Sequence, residues 1–272
     1  MCGRFVRGSE VVQSSNPAFR SLNQQPGAAQ QGAPSAAYLQ QMYAQPSTGA
    51  PARERFLTLD DVVAKTATVL GVGIVSAVVA MSINLTWGLI APAMIVGLVL
   101  ALVIIFKQST NPALILGYSV AEGLALGGIT GVFESIPQYA GVGLQALVGT
   151  LGVFAGMLIV YKTGAIRVTP KFTKMLIGAM IGVVVLVVFN LIASLFGVNT
   201  HLRDGSTMSI IISLVIIVIA ALSFLLDFDQ IDKAIKVGAP ASYAWYAAFG
   251  LMVTMVWLYL EILRLLANLR DN

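Results

Sequence analysis

Four carboxylates stand inside or against long apolar runs of this chain: Glu122, Asp227, Asp229 and Glu261. A charge at the centre of a bilayer costs roughly 2.5–3.5 kcal/mol on insertion scales, so such residues usually face a cavity, a partner or each other. Glu122 lies about ten residues into its apolar run, Asp227 and Asp229 close the next-to-last run, and Glu261 lies in the last, with Arg264 one turn beyond. Each has a plainer reading too. Asp229, Asp232 and Lys233 suit a solvated helix end, and Glu261 with Arg264 at i, i+3 suits a mutually neutralising pair. Glu122 suits a protonated group bonded to a neighbouring helix. Ion chemistry needs two of these carboxylates to meet. Two such groups in a low-dielectric site cannot both ionise cheaply. Ionised, the pair attracts a hard divalent cation through oxygen ligands, and calcium is the natural guest. A shared proton closes the site, so the combination reads as a proton-gated cation site.

The elements that must position these groups are membrane helices. Of the 272 residues 57% are apolar and 10% charged, against about 25% charged in ordinary soluble domains. A hydrocarbon layer ~30 Å thick takes roughly 20 apolar residues per helical span. Residues 1–55 are polar, and Gln, Ala, Pro and Ser dominate from Ser14 to Pro51. That stretch is expected to be a disordered cytoplasmic tail, because it cannot bury enough apolar surface to offset its ordering entropy. Residues 56–272 are expected to form an all-α domain with transmembrane spans at about 62–82, 87–106, 112–133, 140–160, 175–196, 207–226 and 246–268. Thr58-Leu-Asp-Asp61 fits a capping box ahead of the first span. Gly123-xxx-Gly127-xxx-Gly131, Gly152-xxx-Gly156 and Gly178-xxx-Gly182 are expected to be ridges over which helix backbones approach closely.

Charge placement orients the chain. With seven spans, thirteen of the sixteen Lys and Arg residues fall on the side of the tail, leaving only Arg203, Arg264 and Arg270 opposite. Such a bias places the tail inside the cell. The net charge of +4 sits between apolar runs, where it faces anionic lipid headgroups rather than nucleic acid. One cysteine (Cys2) and one histidine (His201) exclude an internal disulfide and multi-cysteine or His-rich metal sites. Neither a Walker nor a dinucleotide pattern occurs. No enzymatic activity and no cofactor are expected.

Three stretches carry a resemblance: Leu226-Asp-Phe-Asp-Gln-Ile231, Trp257-Leu-Tyr-Leu-Glu-Ile-Leu263 and Ala121-Glu-Gly-Leu-Ala-Leu-Gly-Gly128. Together they resemble the bacterial branch of the Bax inhibitor-1 family, over residues 56–270. The resemblance implies a seven-helix bundle with the last helix at its centre, in the bacterial inner membrane with a cytoplasmic N-terminus. It also implies a pH-dependent calcium leak sensed by an acidic pair on the sixth and last helices. Here the pair would be Asp227 and Glu261, also the candidate calcium ligands, with Asp229 and Glu122 assisting and Lys107 or Arg264 as a basic latch. The partners would be the lipid bilayer, calcium and protons. The alternative is a non-transporting regulator that binds a membrane protease or another membrane complex. Bringing Glu261 to Asp227 requires a short interfacial segment at 242–249 and a span starting near Gly250. A single helix over 242–268, ~40 Å long, would carry Glu261 towards its outer end.

Overall fold

The computed structural model describes residues 55–197 and 206–271, so the expectations for the tail, His201 and Arg203 lie outside the described residues. The helices are α1 (Leu59–Ser82), α2 (Trp87–Lys107), α3 (Pro112–Glu134), α4 (Val142–Thr163), α5 (Pro170–Leu195), α6 (Thr207–Lys236) and α7 (Tyr243–Asp271). A 3₁₀ turn, Pro137–Tyr139, precedes α4. All seven are long and apolar enough to cross a membrane.

Local chemistry sets the helix starts. Thr58 caps α1 by accepting the Asp61 N–H at 3.2 Å, while the Asp61 carboxylate accepts the Thr58 N–H at 3.1 Å. The expected capping box is present, and Arg55 adds an ion pair to Asp61. Asn111 caps α3 and Thr169 caps α5, each with proline in the first turn. There the missing N–H is no loss and the fixed φ suits a helix. For that reason α5 begins at Pro170, five residues before the expected start.

Two helices run further than their apolar stretches. Beyond the apolar run ending near 226, α6 continues to Lys236, carried by Asp229–Lys233 and Asp232–Lys236 pairs at i, i+4, 2.5 and 2.6 Å apart. Gly238, at φ +71°, then turns the chain. The left-handed region is open to glycine without the Cβ penalty of other residues. The chain re-enters at Tyr243 as one uninterrupted helix to Asp271. No separate interfacial segment precedes Gly250, and that correction decides the geometry of the site.

Helix α7 packs against α1, α3, α4 and α6, which makes it the centre of the bundle. Its buried face (Ala244, Ala247, Leu251, Met255, Leu258) joins Phe224 and Phe228 of α6 in the main core. On α3 the small-residue ridge does what was expected: a Cβ at Gly123 would collide with the Gly73 carbonyl of α1, and one at Gly127 with the Ala77 backbone. The ridges on α4 and α5 do not. Gly152, Gly156, Gly178 and Gly182 are exposed and face open space, because α4 and α5 turn other faces towards α6. At the near end of the bundle, where α1 begins, a backbone clasp joins the lead-in segment to the α6–α7 turn. The Leu57 N–H donates to the Ala239 carbonyl at 2.8 Å and the Ala241 N–H to the Arg55 carbonyl at 2.7 Å.

Candidate functional site

Asp227 lies nine residues before the end of α6, about 14 Å in from the near end, and Thr254 lies eleven residues into α7, about 17 Å in. Two antiparallel helices joined by a short turn bring residues at matching depth face to face. The Thr254 hydroxyl donates to Asp227 Oδ2 at 2.8 Å. Its second contact is the Gly250 carbonyl one turn back, at 3.4 Å. Asp227 is partly buried, flanked in sequence by the buried Leu226 and Phe228. The hydroxyl suits either protonation state of its partner. It donates to a carboxylate, and it accepts from a carboxylic acid while turning its own proton towards Gly250.

Glu261 was the expected partner of Asp227, and it lies on the same stripe of α7. Because the helix is continuous, it stands seven residues beyond Thr254, about 10 Å along the axis. It is 4% exposed and pairs with Arg264, whose side chain is 22% exposed. Asp227 and Glu261 thus hold different partners, and Arg264 serves as Glu261's counter-ion. Calcium coordinates oxygens at 2.3–2.6 Å, so one ion bridging both carboxylates would require them in mutual contact, which this arrangement does not provide.

The other candidates separate as well. Asp229 forms its ion pair with Lys233 one turn on, inside α6 rather than past its end, with its side chain 19% exposed. Lys107 is exposed at the last residue of α2, a helix that packs chiefly on α3, and no described contact joins it to Asp227. Glu122 lies mid-helix on α3, and the space a Cβ at Gly97 would take lies 2.7 Å from its Oε2. That carboxylate lines a cleft to which Asp227 does not contribute.

Thr254 is the site residue that the acidic pattern did not reveal. Counting inwards from both sides of the α6–α7 turn finds it, since it is the polar side chain of the last span at Asp227's depth. Further polar ties between helices support the frame. Ser119 of α3 donates to the Val69 carbonyl of α1 at 2.6 Å, and Thr130 of α3 meets the Tyr259 hydroxyl of α7 at 2.7 Å. In bilayers such bonds average about 0.6 kcal/mol, so they fix register more than they stabilise.

Among the described residues, seven apolar helices with the last at the centre, and a carboxylate–hydroxyl pair between the final two, define a multi-pass membrane protein. The chain matches the family described as Bax inhibitor 1 like over residues 16–271, and it belongs to that family. It matches no curated protein.

Proposed function

We propose that the protein is a pH-sensitive cation leak channel of the Bax inhibitor 1 type, passing calcium across the bacterial inner membrane without catalysis. The observation that carries this reading is the Asp227–Thr254 contact between α6 and the central α7. Deprotonated, Asp227 offers negative charge at a depth where little else compensates it, and the Thr254 hydroxyl and Gly250 carbonyl add neutral oxygens. One carboxylate and two neutral oxygens fall well short of the 6–8 ligands of a tight calcium site. A permeation pathway requires such weakness, because a passing ion must leave as readily as it arrives. Protonation of Asp227 removes the charge and turns the pair into a neutral hydrogen-bonded latch between α6 and α7. Flux should therefore rise with pH and fall as Asp227 takes up its proton. Asp227→Asn, which mimics the protonated form, is expected to abolish the pH dependence of calcium flux. An Asn variant with an unaltered pH profile overturns the gate.

A second reading is a non-transporting regulator that binds a membrane protease or other membrane complex through residues 1–54. It is supported by the clasp that ties Arg55–Leu57, the chain leaving that segment, to the α6–α7 turn. Deletion of residues 1–50 separates the two. A channel keeps its flux, whereas a tail-dependent regulator loses a partner that the full-length protein retains on pull-down.

A further inference from the structure

Helix α2 packs chiefly on α3, and so does not close against α7. The resulting cleft has a volume of about 540 Å³ and carries the carboxylate of Glu122. Glu122 is ten residues into the 23 of α3, and Gly97 ten residues into the 21 of α2, so both lie near the middle of the membrane. Gly97 is the notch that admits the carboxylate, since a Cβ there would stand 2.7 Å from Glu122 Oε2. On the α7 side the cleft is walled by Val253, Val256, Trp257 and Leu260, none of them ionisable. The other titratable group in the lining is Tyr118, one turn earlier on α3. No described residue forms an ion pair or hydrogen bond with Glu122. Ile95, Leu98 and Ile105 of α2 are exposed along the rim, so the cleft opens sideways into the lipid.

We propose that this cleft binds a lipophilic organic cation, with Glu122 as its counter-charge. A carboxylate in so apolar a setting is stabilised by a cation that arrives from the bilayer. Hard metal ions are poorly suited, because the lining offers one carboxylate and otherwise apolar walls, whereas calcium or magnesium needs about six oxygens. A cation that brings its own hydrocarbon surface fits both features. It places charge against Glu122 and buries aromatic or alkyl groups against α2 and α7, where Trp257 supplies an aromatic side chain of the kind that attracts organic cations. The volume lies within the roughly 300–1,000 Å³ of small-molecule sites. The site is separate from Asp227, and an absence of calcium flux would leave it standing.

The test is equilibrium binding of radiolabelled tetraphenylphosphonium to the full-length protein in lipid nanodiscs. Saturable binding is expected, with competition by dodecyltrimethylammonium and none by neutral triphenylphosphine oxide. Glu122→Gln should weaken it about tenfold or more, and Gly97→Ala, which crowds the carboxylate, should weaken it as well. Asp227→Asn should bind as wild type. Absence of saturable binding by folded wild type overturns the proposal. So does wild-type affinity in a Glu122→Gln protein with an unchanged melting temperature, or binding lost on Asp227→Asn alone.

Discussion

At Thr254, replacing the hydroxyl with a methyl group (Thr254→Val) keeps the side chain's shape and leaves the Asp227 carboxyl without its partner on α7. Leaving such a polar group unsatisfied costs about 1–3 kcal/mol. A lower melting temperature in detergent is expected, together with a calcium-flux pH profile displaced from wild type. Thr254→Ser should restore both, and a Val variant matching wild type in both would show that the hydroxyl is idle. Glu261 behaves differently. Glu261→Gln removes the carboxylate that pairs with the mostly buried Arg264, and breaking a buried pair costs roughly 3–5 kcal/mol. The expected result is a large loss of thermal stability, with the pH dependence of flux intact in the protein that folds. Substituting Arg264 and Glu261 together by apolar residues should recover most of that loss. The acidic residues were all visible in the sequence, but their pairings were not. Spacing at i, i+3 marked Glu261 with Arg264 as a neutral pair, and that reading, rather than the one joining it to Asp227, describes its contact.

Among the elements, the glycine ridges give a paired expectation. Gly123→Val drives a side chain into the Gly73 carbonyl and separates α1 from α3, and overpacking of this kind costs about 1–3 kcal/mol or more. Gly178→Val meets open space on α5, where an exposed substitution stays within about 0.5 kcal/mol. Melting temperatures of the two purified variants should differ accordingly, and equal losses would contradict the packing described. The xxx spacing is the same on α3, α4 and α5, so sequence alone could not tell which ridge meets a neighbour. Helix existence and order were legible because each span is a long apolar run. Ends were less so: Thr169 with Pro170 starts α5 early, and the ion pairs after Asp227 lengthen α6 by ten residues past its apolar run. The uninterrupted α7 follows from its start at Tyr243, directly after the turn made by Gly238 and Pro240.

For the molecule as a whole, the multi-pass architecture and the central last helix followed from hydropathy and from the three stretches around Glu122, Asp227 and Glu261. What joins those stretches depends on depth, and depth depends on where α6 stops and α7 starts. With Lys236 and Tyr243 as the limits, Thr254 faces Asp227 and Glu261 lies two turns beyond. In the proposed function, Asp227, held by Thr254, sets the proton dependence of a cation leak. Calcium influx into proteoliposomes at pH 6 and pH 8, for wild type, Asp227→Asn and Glu261→Gln, tests it most directly. Influx higher at pH 8 than at pH 6 is expected for wild type and for folded Glu261→Gln, with the difference lost in Asp227→Asn. Influx no greater than in empty liposomes from folded wild type, or an Asp227→Asn protein that keeps the full difference, would contradict it.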